Sequence, residues 1–328
     1  MPAAADSTAD LSYQARFERR WQHLTRPHVR ALAWLLDAPD LLDASAPYWH
    51  GRIAVLGPAA AATAAWLAAL EADPAPLDAA LGARFYSRLG LYAEKLMAFY
   101  FAQQGTLAAH GLQVRSAKET VGEFDFLLDE PAGLRHIEFA TKFYLLDSHA
   151  DTSDFDLLVG PNLGDTLGRK MRKIFEQQLA LAWHPAARDV LPQPVAVAQA
   201  LVKGWLFYPP DGVFTVPGIA PDHCRGRWHT LAGLAAGQWP GERYVVLPRL
   251  QWLAPFKGRV DGAAVPLALA ELVGQVTDKF AADASPVMVA SVRQEGEWLL
   301  EEARAFIVRD DWPELAALRR ATGTKPAA

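Results

Sequence analysis

Residues 122–144, GEFDFLLDEPAGLRHIEFATKFY, hold the pattern that decides the fold of this chain. Two runs rich in branched and aromatic side chains, 123–128 and 134–145, flank a short turn that contains Pro131 and Gly133. Loops of about three to five residues with a glycine commonly join the two strands of a hairpin. The stretch therefore predicts a β-hairpin, around which the other elements can be placed.

The polar residues of this hairpin fall on one face of each strand. Side chains alternate between the two faces of a strand, so Glu123 and Asp125 share a face of the first run. By the same rule, Glu138 and Lys142 share a face of the second run. The opposite faces carry core material: Phe124, Phe126, Leu128, Ile137, Phe139, Phe143 and Leu145. We therefore expect acids and a lysine to converge on one side of an otherwise apolar hairpin.

Such a convergence has a chemical use. Carboxylates that point to one place from adjacent strands bind a hard divalent cation such as Mg²⁺. A nearby ammonium group can orient a water molecule or stabilise the charge that develops on a phosphate. Solvated charges on a half-exposed sheet would give the same pattern, so the hairpin alone leaves both interpretations open.

A strongly apolar helix precedes the hairpin. Residues 90–101 read GLYAEKLMAFYF, with Glu94 as the single acid, and we expect a helix over about 84–104 that packs against the sheet. A buried and unpaired carboxylate is costly, so Glu94 needs a cation, a hydrogen-bond network or a water channel nearby. An ion pair with Arg84 or Arg88 is the simpler alternative.

The order of these parts resembles the PD-(D/E)XK nuclease superfamily over roughly residues 85–210. The matching parts are a helix with one glutamate, a short strand over 112–116, the GEFD strand and the strand with Glu138 and Lys142. A helix from about residue 165 to Trp183 and a strand within 195–208 follow. The resemblance implies an α/β fold with a restriction-endonuclease-like mixed central sheet flanked by helices.

The whole chain also resembles a bacterial family called domain of unknown function 1853, which is grouped with PD-(D/E)XK folds. The segments that carry this resemblance are GLYAEKL, IEFATKFYLL, LVGPNLGDTLGRKMRKIFEQQL and FIVRDDWP. It implies the same core, with a helical N-terminal lead-in and a C-terminal α+β extension.

The superfamily resemblance further implies roles for individual residues. It implies metal binding by Asp125 and Glu138, with Mg²⁺ or Mn²⁺ as the ion. It implies catalytic roles for Lys142, Glu94 and Glu123. It implies nucleic-acid contacts from the helix after the lysine strand, by Lys170, Lys173, Gln177 and Gln178. The implied function is that of a divalent-metal-dependent phosphodiesterase, a nuclease-like protein that acts on DNA or RNA.

One spacing departs from the superfamily pattern. The acid and the lysine usually stand two residues apart, whereas Glu138 and Lys142 are four apart, about 13 Å between Cα atoms. A bulge near Ala140 could re-aim the side chains, or Ala140 could occupy the usual position of the acid. A catalytically inactive protein that binds nucleic acid or a protein partner through basic helices is therefore the second hypothesis. A scaffold subunit whose acids are incidental is the third.

Composition bounds the other possibilities. The chain has 328 residues, of which 51% are apolar, and a net charge of −5 that gives no bulk attraction to nucleic acid. A single cysteine, Cys224, excludes an internal disulfide and a multi-cysteine metal site. The sequence contains no G-x-S-x-G, HExxH, GxGxxG or P-loop motif, so serine hydrolysis and dinucleotide binding are poorly supported.

The chain divides by pattern into a disordered tail (1–10), a helical lead-in packed on the core (11–80), the PD-(D/E)XK-like core (81–210) and a C-terminal extension (211–328). The start, MPAAADSTAD, lacks the basic and apolar regions of a signal peptide. The longest weakly charged run, 53–70, contains Pro58 and favours a buried helix over a membrane span. We therefore expect a cytoplasmic protein.

Overall fold

The fold is known from a computed structural model, which describes residues 12–83, 86, 88–116, 119–147, 154–211, 215–239 and 241–322. The predicted tail, 1–10, lies outside the described residues. Four helices begin the described chain: α1 (Tyr13–Trp21), α2 (Pro27–Asp37), α3 (Ala61–Ala72) and α4 (Ala75–Leu81). In the described part of the chain, every helix is too short or too polar to cross a bilayer.

The next elements match the order expected from the sequence. They are α5 (Leu89–Gln103), β1 (Leu107–Ser116), β2 (Glu119–Glu130), β3 (Gly133–Leu146), β4 (Leu158–Val159), α6 (Leu167–Lys173) and β5 (Val195–Tyr208). The predicted helix up to Trp183 changes its hydrogen bonding after α6. It continues as a π-helical turn over Ile174–Gln178 and a 3₁₀ turn over Leu179–Trp183.

The C-terminal part adds further strands and helices. They are β6 (Cys224–Thr230), α7 (Leu231–Ala235), β7 (Arg243–Val246), β8 (Lys257–Arg259), α8 (Leu269–Ala282), β9 (Val287–Glu295), β10 (Trp298–Val308) and α9 (Trp312–Thr322). The sequence left open whether these strands extend the central sheet or form a second layer. They extend the sheet, because β6 pairs with β5 and β10 pairs with β6.

One mixed sheet therefore contains all ten described strands, in the order β1-β2-β3-β5-β6-β10-β9-β7, with β4 on β3 and β8 on β10. The strands β1, β2 and β3 are antiparallel to one another, and β3, β5, β6 and β10 are parallel. This confirms a mixed α/β fold. The centre of the sheet is apolar, as expected for parallel strands covered on both faces, and β5 is buried from Ala200 to Tyr208.

Two cores lie on the two faces of the sheet near the hairpin. One face packs against α2 and α5, through residues such as Trp34, Leu96 and Phe126. The other face packs against α6, through Leu167 and Met171. Burial of one large apolar side chain stabilises the fold by about 1.5–3 kcal/mol, so both layers contribute substantially. Helix α5 lies between the sheet and the N-terminal helices, which explains why it is apolar on nearly all sides.

Candidate functional site

The two acids expected to bind metal lie where the hairpin ladder stops. Pairing of β2 with β3 runs from Glu130–Gly133 to Phe126–Ile137, and Asp125 and Glu138 come directly after the last pair. The Asp125 Oδ2 atom accepts a hydrogen bond of 2.9 Å from the Phe139 backbone N–H, so a side chain replaces the backbone acceptor there.

The residues of β3 alternate as expected, but those of β2 do not. Ala140 and Tyr144 belong to the core under α6, whereas Ile137 and Phe139 belong to the core under α5. In β2, Phe124 packs under α6 while Phe126 packs under α5. The prediction that alternate residues of β2 lie on the same face along the whole strand is therefore wrong. The distortion at Asp125 lets its carboxyl group meet groups from both helix layers.

Burial dominates the electrostatics of this acid pair, and the charge of Asp125 adds to it at Glu138. Burial is the main cause that raises the pKa of Asp125 to about 6, and the nearby Glu94 charge adds to it. The hydrogen bond from the Phe139 backbone N–H opposes this rise. Burial and the Asp125 charge raise the pKa of Glu138 to about 9, against the opposing charge of Lys170. Asp125 and Glu138 are neighbours, since each contributes to the pKa of the other. The structure thus brings Glu94, Asp125 and Glu138 together.

Helix α6 and the π-helical turn after it supply the polar partners of this pair. Gln178 donates its Nε2–H to Glu138 Oε1. The Lys170 Nζ atom donates to Gln178 Oε1 over 2.9 Å. Single π-helical turns often occur at functional sites, because they re-aim one side chain without ending the helix. Two of the predicted nucleic-acid contacts, Lys170 and Gln178, therefore lie beside the acids.

Lys142 lies on the same face of β3 as Glu138, farther along the strand. The pairing of β3 with β5 has no register shift from Arg135 to Leu145, so the bulge considered near Ala140 is absent. Burial and the nearby Lys170 charge lower the pKa of Lys142, with Asp165 and Glu138 opposing them. Lys170 is thus the cation that acts most directly on the acid pair, since it contributes to the pKa of both carboxyl groups.

Two predicted residues lie at the edge of this group. Glu123 is exposed and accepts a hydrogen bond of 3.2 Å from Gln113 Nε2 on the neighbouring strand. It is not among the main charges that act on Asp125 or Glu138. Lys173 is exposed, and its charge contributes to the lowered pKa of Lys142.

The sequence analysis missed two histidines. The Nε2 atom of His110, on β1, lies 2.7 Å from Glu94 Oε1, and its ring stacks on Phe126 at 5.3 Å. Glu94 thus has a histidine as its partner; of the two arginines considered for it, Arg84 lies outside the described residues. His136 is fully buried, and burial lowers its pKa to about 4. Its Nε2 atom lies 3.9 Å from Glu138 Oε2. The alternation of β3 was the available signal for His136, since it stands two residues before Glu138.

The basic N-terminal helices make internal contacts. Arg20 pairs with Asp37 at 2.9 Å, and Arg30 is buried and pairs with Glu18 at 3.1 Å. The Arg26 backbone and side chain both hydrogen-bond to Glu71. Much of the positive charge that the sequence offered as a nucleic-acid surface is therefore used to attach α1 and α2 to the fold.

The donor set of the acid pair fits a hard cation with few protein ligands. Glu138 is 1% exposed, and its Oε2 atom has no hydrogen-bond partner. Within the described residues, no group of three or more His, Cys, Asp or Glu side chains is arranged to hold a metal ion. A zinc site needs three or four protein ligands, whereas Mg²⁺ takes one or two carboxylates and completes its shell with water and substrate phosphate. The pair therefore fits Mg²⁺ or Mn²⁺ better than zinc.

Comparison with known proteins agrees with the family resemblance of the sequence. No curated protein and no solved structure matches the chain. A family model does match, over residues 30–308, which is well over half of the chain and includes the acid pair, α6 and most of the C-terminal strands. The chain belongs to the family described as "Domain of unknown function (DUF1853)".

Proposed function

We propose that this protein is a divalent-metal-dependent phosphodiesterase, a nuclease-like protein whose substrate is nucleic acid. The observation that carries the proposal is the meeting of Asp125 and Glu138 in a buried position, with one carboxylate oxygen left without a partner. Burial raises the pKa of Glu138 to about 9, so this group holds a proton at neutral pH. A divalent cation that replaced the proton would be bound by both carboxylates.

The order of elements supports the same proposal. A helix, an antiparallel hairpin with a preceding strand, a second helix and a parallel strand follow one another as α5-β1-β2-β3-α6-β5. The PD-(D/E)XK superfamily, which the sequence resembles, has its parts in this order. We infer a restriction-endonuclease-like core for the part of the sheet from β1 to β5.

In this mechanism Asp125 and Glu138 would hold Mg²⁺ or Mn²⁺, and the ion would supply Lewis-acid chemistry at the phosphate. Lys170, held by Gln178, places a positive charge beside the phosphate. Lys142 Nζ orients the attacking water, whose oxygen forms the new bond to phosphorus as the bond to the leaving nucleoside oxygen breaks and that oxygen takes a proton from solvent. Glu94, fixed by His110, accepts the proton that the water releases.

A non-catalytic protein of the same fold is the second candidate. Two observations favour it: the four-residue separation of Glu138 and Lys142 on an unbroken strand, and the lack of a third ligand among the described residues. Such a protein would use the exposed basic side chains of α6, beside the acid pair, to bind DNA, RNA or a protein partner.

Thermal unfolding with and without metal separates the two candidates. We expect Mg²⁺ or Mn²⁺ at about ten times its Kd to stabilise the wild-type protein by about 1.4 kcal/mol, a shift in Tm of roughly 2 °C for a chain of this length. Asp125→Asn should abolish this shift, and Glu123→Gln, which changes an exposed acid two residues away, should keep it. Cleavage of single- and double-stranded DNA and RNA is measured in parallel. A wild-type Tm that does not respond to either metal would contradict the proposed function.

A further inference from the structure

A cleft on the other flank of α6 has the composition of a binding site. It has a volume of about 250 Å³ and lies between the segment around Trp49 and the helix. Aromatic rings form much of its lining: Tyr48, Trp49, Phe155 and Phe175. Polar and charged side chains complete it: His50, Arg52, Asp154, Arg172 and Glu176. None of these residues belongs to the acid site described above.

The rings are arranged in layers. Trp49 stacks on Phe175 at 5.1 Å, with an angle of 23° between the ring planes. The Arg52 guanidinium lies over the Phe175 ring, 4.9 Å from the ring centre, and donates a hydrogen bond of 3.2 Å to the Phe175 carbonyl. Tyr48 meets Trp49 edge-on at 4.8 Å and is 64% exposed. An exposed ring at the mouth of an aromatic cleft offers a surface on which a planar ligand can stack.

The charged side chains that line the cleft favour one class of planar ligand. A phosphate group alone would be repelled by Asp154 and Glu176, and Arg172 is already paired with Asp156 at 2.9 Å. A nucleobase carries donors and acceptors along its edges, so it can use carboxylates and guanidinium groups together. A Phe side chain of a partner protein would leave these charges unused. The volume, slightly below the usual range for a drug-sized ligand, suits one base and not a larger ring system.

The position of the cleft connects it with the acid site. Gly168, Met171 and Phe175 line the cleft, whereas Lys170 and Gln178 face the acids on the other flank of the same helix. A helix with its side chains is about 10 Å across, a distance that a few nucleotides of a single strand can span. A single strand whose phosphate lies at the acid pair can thus place a base in the cleft a few nucleotides away.

We propose that this cleft binds an unpaired nucleobase of a single-stranded nucleic acid by stacking on Tyr48, and so positions the strand relative to the acid site. The proposal rests on the proposed function for the identity of the strand. Its recognition chemistry belongs to the cleft alone and needs no metal.

Binding of oligonucleotides to metal-free protein in EDTA tests the proposal. The probes are a fluorescent oligo(dT) of twelve nucleotides, the matching oligo(U), and an abasic strand of the same length that keeps the phosphates. We expect the wild-type protein to bind the base-bearing strands about tenfold more tightly than the abasic strand. Tyr48→Ala should remove that difference without weakening the abasic complex. Tyr48→Phe keeps the ring and should retain it.

Trp183→Ala is the matched control, because Trp183 is 62% exposed and does not line the cleft. Equal affinity of the wild-type protein for base-bearing and abasic strands, or an equal loss in Trp183→Ala, would overturn the proposal. So would binding of a tyrosine-rich peptide in the cleft with no binding of either base-bearing strand. Base discrimination without any thermal response to Mg²⁺ would reject the proposed function and leave this inference standing. A metal response without base discrimination would do the reverse.

Discussion

Two carboxylates are buried in this sheet, and they are compensated in opposite ways. Glu301, 6% exposed, receives two hydrogen bonds from Arg304, at 2.7 and 2.8 Å, and one of 2.7 Å from the Phe256 backbone N–H. Glu138, 1% exposed, has one donor, Gln178, and its nearest charged neighbour is a second acid. The first carboxylate is fully partnered by the fold, and the second is not.

The difference separates a structural ion pair from a candidate binding site. Arg304 also donates to the carbonyl groups of Trp252 and Ala254 and lies 4.0 Å from the centre of the Trp205 ring. The Glu301 carboxylate therefore already has its hydrogen-bond donors and its cation, and leaves no unsatisfied group for a ligand to bind. At Glu138, one carboxylate oxygen has no partner and the pKa is raised, so the fold does not stabilise the charged form of this group. A bound cation would supply that stabilisation.

The largest expected effect is at the structural centre. Arg304→Met leaves Glu301 buried without its cation, and we expect a loss of about 3–5 kcal/mol in the free energy of unfolding. Urea denaturation measures it. The control, Arg259→Met, breaks the exposed ion pairs with Asp261 and Glu297 on the adjacent strand and should leave stability almost unchanged. Similar losses of stability in the two variants would show that the buried ion pair of Glu301 contributes no more than an exposed one.

The acid pair should respond to pH in the opposite sense to an ordinary ion pair. The pKa values of Asp125 and Glu138 are raised in the folded protein, so the folded state holds more protons than the unfolded state between about pH 4 and pH 9. Their contribution to stability is therefore favourable at the lower pH and is lost as the pH rises through the folded pKa values.

Glu138→Gln removes this titration. In EDTA at about pH 8, we expect the free energy of unfolding of the variant to exceed that of the wild-type protein by about 1–3 kcal/mol. At about pH 5 we expect this advantage to disappear. Urea denaturation across this pH range measures the difference between the two proteins, in which the titration of other groups cancels. Glu123→Gln serves as the control. A constant difference across the range would show that the acid pair is not repulsive.

The smallest effect compares two glutamines that donate to the two buried acids. Gln14 donates to Glu301 over 3.3 Å, alongside stronger donors, so Gln14→Leu should lower stability by about 0.5–1 kcal/mol and leave the metal response unchanged. Gln178→Leu removes the donor to Glu138 and the partner of Lys170, so it should weaken the Mg²⁺-dependent shift in Tm. Equal metal responses in the two variants would place Gln178 outside the site.

Much of the fold could be predicted because it follows from local pattern. The hairpin over 122–144 and strand 195–208 are strong strand signals, and the observed strands extend them by only a few residues. The same alternation placed Glu138 and Lys142 on one face of β3. It failed in β2 because Asp125 takes over a backbone hydrogen bond from Phe139, an interaction between strands that no local pattern contains.

The sequence by itself determined the α/β class, the hairpin, the apolar helix before it and the acids that the hairpin carries, because periodicity and turn chemistry act over a few residues. Tertiary structure alone decided which charges meet. The register shift between Glu301 and Ala303 brings Glu301 and Arg304 to the same side of β10, although residues three apart on a regular strand point to opposite faces. The π-helical turn likewise brings Gln178 to Glu138. Such contacts depend on the packing of distant segments, and packing is set by the whole core.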